Sequence, residues 1–215
     1  MKLRKLALAA LLSGFALPAA AQTYSFDFGS LLTGGASAPA GGGDTWAEMS
    51  IAPTVADDGN TYTFILDVLA PQFTNTFTST AFVGSAGFNN AGTITAGEIT
   101  LVSGGVTTIS ATNGGGGGGI TWDFGADFGG GASDRLQAGE SVTWTQSFSS
   151  VLNLVDPFAY LHVQGLGTGG QDSGKYIPTT PIPEPETYAM MLAGLGLLGF
   201  VARRRRQSLG NVVPA

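Results

Sequence analysis

Thr61-Tyr62-Thr63-Phe64-Ile65-Leu66-Asp67-Val68 carries the strongest structural signal in the chain. Tyr62, Phe64, Leu66 and Val68 alternate with Thr61, Thr63, Ile65 and Asp67, a period of two that gives a strand one apolar face. Ser141–Phe148 repeats the pattern, with Val142, Trp144, Gln146 and Phe148 on one side and Ser141, Thr143, Thr145 and Ser147 on the other. Tyr24-Ser25-Phe26-Asp27-Phe28 sets three aromatic rings on a single face. Weaker strand candidates are Trp46–Ile51, Ala81–Gly84, Glu98–Val102, Val106–Ala111, Ile120–Phe124 and Ala159–Gln164. Threonine, β-branched and aromatic residues fill these segments and glycine clusters separate them, as strands and their connections require. No segment reads as a convincing soluble helix. About nine strands in this arrangement predict an all-β domain, an antiparallel β-sandwich of jelly-roll type. A β-solenoid is the rival architecture, but the chain shows no regular repeat period.

The connections carry little chemistry of their own. Asp57-Asp58-Gly59-Asn60 precedes the strongest strand and reads as a hairpin turn, because Asp-Gly supplies the positive φ such turns need. A calcium loop is the sharper alternative, since clustered carboxylates suit hard cations, yet the spacing matches no EF-hand. Asn113 followed by Gly114 to Gly119 reads as a flexible loop, and Gly129-Gly130-Gly131 as a connection. Gly169-Gly170-Gln171-Asp172-Ser173-Gly174-Lys175-Tyr176 nearly spells a P-loop, but Tyr176 stands where a magnesium-binding hydroxyl belongs and Pro178 and Pro181 follow. Gly165-Leu166-Gly167-Thr168-Gly169 lacks the helix and acidic partner of a dinucleotide site.

Composition narrows the function classes. Cysteine is absent from the 215 residues, so packing rather than disulfides must hold the domain. Thirty-four glycines mark many turns and raise the entropy that folding must overcome. The net charge is -6, and the middle of the chain is more acidic still, because only Arg135 and Lys175 are basic between the two ends. Such a surface repels phosphates and excludes nucleic-acid binding. No cofactor, nucleotide or metal site and no catalytic constellation is expected. His162 is the single histidine, placed by alternation with Tyr160 and Gln164 and opposite Leu161 and Val163. A half-exposed strand residue is the expectation, since no Ser-His-Asp set is legible. Asp123 and Asp127 flank Phe124 as an imaginable glycosidase pair, but sequence spacing alone cannot set their separation across a cleft. Trp46, Trp122 and Trp144 are expected in the core, and would bind sugars only if exposed.

Both ends read as export signals. Lys2, Arg4 and Lys5 form a positive n-region, Leu6 to Leu17 an apolar h-region, and Ala19-Ala20-Ala21 an A-x-A site for signal peptidase, with Ala19 and Ala21 at the key positions and Gln22 as the mature start. At the other end Pro181, Pro183 and Pro185 fix an extended segment that cannot join a sheet interior or a helix. An uncharged run, Ala189 to Ala202, follows directly, and then Arg203-Arg204-Arg205-Arg206. The run is shorter than the roughly 20 residues of a comfortable span, though Tyr188 at the interface and snorkelling arginines extend it. By the positive-inside rule the arginines hold that end in the cytoplasm, at the inner membrane. Ala189, Ala193, Gly196 and Gly199 give the helix one small-residue face. An ordinary single-pass tail anchor is the alternative.

This tripartite C-terminus resembles the PEP-CTERM sorting signal of Gram-negative bacteria, which an intramembrane exosortase recognises. The resemblance implies that Pro183, Glu184 and Pro185 are the recognition motif and that Arg203 to Arg206 are the stop signal. It further implies cutting near Pro-Glu-Pro by an exosortase-type transpeptidase, followed by residence at the cell surface or in an extracellular matrix. Association with exopolysaccharide and biofilm material comes with it, so a structural or adhesive role leads. A carbohydrate-binding module is the first alternative and a secreted hydrolase the second. The tail Gln207 to Ala215 departs from the family pattern, whose members end soon after the basic residues. The expected organisation is a signal peptide at 1–21, an acidic β-sandwich at 22–176 and a Pro-rich linker at 177–187. A transmembrane helix with its arginines at 188–206 and a disordered tail at 207–215 complete it.

Overall fold

In the computed structural model, residues 23–40, 43–54, 60–117, 119–129, 135–170, 172–181 and 194–197 are described. Ten strands form the body: β1 (Tyr24–Gly34), β2 (Ala47–Pro53), β3 (Thr61–Val68), β4 (Phe82–Asn90), β5 (Ala96–Gly104), β6 (Ile109–Gly117), β7 (Ile120–Phe128), β8 (Ser141–Phe148), β9 (Leu154–Leu166) and β10 (Asp172–Pro181). All pair antiparallel in one sheet of order β5-β8-β3-β2-β1-β10-β9-β4-β7-β6.

The sheet curls into a nearly closed barrel. Four strands separate β3 from β4 along the sheet, yet the Phe64 and Phe88 rings lie 5.6 Å apart. Near opposite ends of the order, Phe124 of β7 meets Phe148 of β8 at 4.7 Å, and Phe128 meets Trp144 at 5.5 Å. The two end strands are joined by a side chain instead of a backbone ladder. Asn113 of β6 accepts the Ala96 N–H at 2.6 Å and donates to the Ala96 carbonyl at 3.0 Å. The expected two-sheet sandwich is therefore replaced by one continuous sheet. Period two reports which face is buried and is silent on whether a sheet divides.

The interior follows from the alternation. Tyr62, Phe64, Leu66 and Val68 point in from β3, and Val142, Trp144, Gln146 and Phe148 from β8. Phe64 stacks on Trp144 at 4.9 Å. One end of the barrel is stopped by a short helix, α1 (Ala70–Thr76), which begins with Pro71 at its first turn. Phe73 and the following Phe77 bring their rings to 5.6 and 5.0 Å from Trp46. A single helix of seven residues is too short for the 3.6-residue period to register in sequence.

Three expectations are corrected. First, β10 runs to Pro181, five residues past the expected domain end at 176, and lies inside the sheet between β1 and β9. Its prolines are accommodated because the β1–β10 ladder shifts register between Phe26 and Phe28 and again between Phe28 and Ser30. Such bulges are where a missing N–H does least harm. Second, Gly114 to Gly117 is not a loop but the second half of β6, with Gly115, Gly116 and Gly117 opposite Trp122, Thr121 and Ile120. Third, the spanning helix expected at 188–206 is described only over 194–197, as a helical turn, and among the described residues no helix is long and apolar enough to cross a membrane. The signal peptide, the Asp57-Asp58-Gly59 turn with its calcium alternative, and the tail 207–215 lie outside the described residues.

Candidate functional site

The sheet has an outer face as well as a core, and on one half of the barrel that face is unusually rich in chemistry. On β9, Leu161 and Val163 are fully buried in the core, while Tyr160, His162 and Gln164 alternate outward, as expected. Register then decides their neighbours. Ser85 of β4 lies opposite both Asp127 of β7 and His162 of β9, and His162 lies opposite Lys175 of β10. The result is one cross-strand row, Asp127–Ser85–His162–Lys175.

Beside this row runs a groove in two connected parts, of about 550 and 430 Å3. Arg135, Gln164 and Phe82 line both. His162, Asp172 and Ser173 lie toward β10, and Asp127 and Ser110 toward β6. Glycine makes the room: a Cβ at Gly84 would come within 2.5 Å of the Gln164 amide. The turn between β9 and β10 forms one wall, with Gly165, Gly167, Gly169 and Gly170 all at positive φ, so the P-loop-like stretch is a turn leading into a strand.

The groove gathers what is rare in this body. Residues 22–181 hold thirteen acidic side chains against two basic ones, Arg135 and Lys175, and both basic groups are on this face with the single histidine. The Arg135 guanidinium lies 4.3 Å above the Phe82 ring, which fixes its plane. Its Nε is buried with no hydrogen-bond partner among the described residues. Burial raises the Asp127 carboxyl above the usual carboxylate range. Burial, then the charge of Lys175, lowers the His162 imidazole, so it is neutral near pH 7. Asp172 is held down by the N–H groups of Ser37 and Ser173, which donate at 2.7 and 2.9 Å.

A hairpin covers the Lys175 end. Trp122 of β7 lies half-buried against Gly87, where a Cβ would sit 2.8 Å from the indole. Its ring is 5.7 Å from that of Tyr160 and 5.4 Å from Lys175 Nζ. Tyr160 Oη donates to the Thr121 carbonyl at 2.6 Å, and Lys175 Nζ donates to the Gly117 carbonyl. The β6–β7 tip is thereby strapped onto β9 and β10.

The row does not assemble an activated nucleophile. In a triad the imidazole stands between hydroxyl and carboxylate. Here Ser85 stands between carboxylate and imidazole, and among the described residues no hydrogen bond joins Ser85 to His162. The His162 Nδ1 instead faces Gln164 Nε2 at 3.3 Å. The imagined pair Asp123 and Asp127 is also divided, because Asp123 Oδ2 accepts the Asn90 N–H at 2.8 Å while Asp127 lines the groove. Trp46 and Trp144 are fully buried, as expected, and Trp122 is not. Sequence reasoning missed Ser85, Gln164 and the role of Arg135. The one available signal was the scarcity of basic residues in an acidic body.

The groove and the chain termini of the barrel lie at opposite poles. Phe26 near the start of β1 pairs with Pro181 at the end of β10, whereas Asp172 at the start of β10 reaches Ser37 beyond the end of β1. The sorting residues Pro183, Glu184, Pro185 and Arg203 to Arg206, and Ala19 and Ala21 of the leader, lie outside the described residues. No curated protein and no solved structure matches the chain. Residues 181–206, which begin on the last residue of β10, match the PEP-CTERM protein-sorting motif, and the chain is thus an exported protein sorted by an exosortase-type system.

Proposed function

We propose that the barrel is a non-catalytic structural or adhesive protein of the cell surface or extracellular matrix, released there after leader removal by signal peptidase and C-terminal processing at the inner membrane. The observation that supports this reading is polar geometry: the sorting motif begins at one pole and the open groove lies at the other. A body tethered or handed over by its motif keeps the groove turned away from the processing machinery. The sorting half is tested by mass spectrometry of the mature C-terminus in hosts with and without exosortase. Loss of Arg203 to Arg206 in the first host alone is expected. An intact arginine tail in both hosts defeats it and leaves a plain membrane anchor.

The adhesive half is tested by fractionating cells, matrix and medium, with the protein expected in the matrix. Recovery wholly in the medium refutes it. A carbohydrate-binding module is the second reading, favoured by the mixed donors and acceptors of the groove instead of by coplanar exposed rings. A hydrolase is disfavoured by the order of the Asp127–Ser85–His162–Lys175 row.

A further inference from the structure

We infer that the outer-face groove binds an uncharged polysaccharide chain lying across the strands, with Arg135 at its centre. This rests on the adhesive reading and names the ligand that the adhesion uses. Five strands, β6, β7, β4, β9 and β10, contribute to the groove. At about 4.8 Å between neighbours they span about 19 Å, the length of roughly four sugar rings. A chain-like ligand fits a trough of that length better than a compact one does.

The polar groups specify the chemistry. Arg135 donates, Asp127 and Asp172 accept, and Gln164 and Ser110 do both. Donors and acceptors therefore alternate along the floor, which matches hydroxyl groups that each give and take a hydrogen bond. Arg135 and Asp127 are the unspent members, because neither has a hydrogen bond within the protein among the described residues, while both are partly withdrawn from water. The stack on Phe82 also means that Arg135 loses little side-chain freedom on binding.

Competing ligand classes fail on named residues. An anionic polymer meets Asp127 and Asp172 in the groove and an acidic body around it. A polycation meets Arg135 at the centre. An extended peptide needs an open strand edge for ladder hydrogen bonds, and this trough crosses a paired sheet face. An apolar ligand would strand the charged floor.

The test uses the secreted, processed protein in native gels cast with hydroxyethylcellulose, dextran or galactomannan, and in gels with polygalacturonate or alginate. Retardation by at least one neutral polymer, unchanged by added salt, is expected. Arg135→Met and Asp127→Asn should each weaken that retardation tenfold or more, with Asp67→Asn on the other half of the barrel as the unchanged control. Circular dichroism checks that each variant is folded, and Arg135→Lys gives a second variant that keeps the charge while losing the planar fork. Retardation only by the anionic polymers, retardation indifferent to Arg135 and Asp127, or none in any gel overturns the assignment. If the protein still fractionates with matrix while no gel retards it, the groove assignment falls and the adhesive reading stands. If gels retard it but it is found only in the medium, the reverse holds.

Discussion

Replacing Tyr176 by alanine tests whether β10 is a structural member of the barrel or an appendage before the sorting motif. Tyr176 is fully buried, with its ring edge-on to Trp46 at 5.3 Å and to Phe77 at 5.2 Å. Its hydroxyl donates to the Pro39 carbonyl at 3.0 Å. Truncating a buried aromatic costs about 3–5 kcal/mol, in which lost contacts and the residual cavity both count. Losing the hydroxyl bond adds about 1 kcal/mol. A whole domain is stable by about 5–15 kcal/mol, so the variant should be marginal. With a urea dependence of about 2 kcal/mol/M for a chain of this size, the midpoint should fall by roughly 2 M.

Tyr176→Phe separates the terms, because it keeps the ring and removes only the hydroxyl, for a cost of about 1 kcal/mol. The assay is urea unfolding of the exported protein, followed by tryptophan emission. Trp46 reports on this contact and Trp144 on the far side of the interior. Both should lose structure together, since β10 is the strand that connects the β5-β8-β3-β2-β1 half to the β9-β4-β7-β6 half. A midpoint that moves by less than 0.5 M (about 1 kcal/mol at the same slope) would refute the placement of β10 inside the sheet. So would a Trp144 transition unaffected by the substitution.

Two further outcomes follow from particular contacts. Asn113→Ala removes both hydrogen bonds that join β6 to Ala96 across the seam, and should cost about 1–3 kcal/mol and speed amide exchange at Ala96; unchanged Ala96 protection means that the seam is held elsewhere. His162 is depressed below its usual value of 6.5 by burial and by Lys175, so the unfolded chain binds the proton first as pH falls. Its contribution is thus complete above pH 6.5 and is lost as pH drops through the lower folded value, and His162→Gln should flatten the wild-type loss of urea stability between pH 7 and 5. Equal slopes in the two proteins would remove His162 as the cause.

β3 and β8 were legible to the residue because each has one face in the core and one in water, which enforces strict alternation. The outward position of His162 followed from the same rule. β10 was hidden because Gly174, Pro178 and Pro181 suppress every local strand signal, and the energy that keeps it extended comes from β1 and β9, distant in sequence. The glycine half of β6 was hidden for the same reason: it carries no side chain to show a period, and Trp122 packs where Gly115 has none. Closure into a barrel depends on contacts such as Phe64 with Phe88, which no local pattern encodes. The groove was illegible in kind, since Arg135, Asp127 and His162 come from separate segments and meet only through register.

The place where β10 stops explains how a detachable address can share a chain with a cooperative fold. β10 joins the two halves of the sheet, so the barrel cannot be complete until its last strand has crossed the membrane. That strand ends on Pro181, the first residue of the sorting match, and its last fully buried side chain is Tyr176. A cut anywhere beyond Pro181 therefore removes no core contact, whereas a cut before Tyr176 would open the joint between the halves. Prolines serve both sides of this boundary. Within β10 they sit at register shifts that spare the ladder, and past it they hold the backbone extended and free of hydrogen-bonded structure. The same residue type thus ends the domain and begins the signal, and the fold tolerates removal of the signal because no energy is stored across the junction.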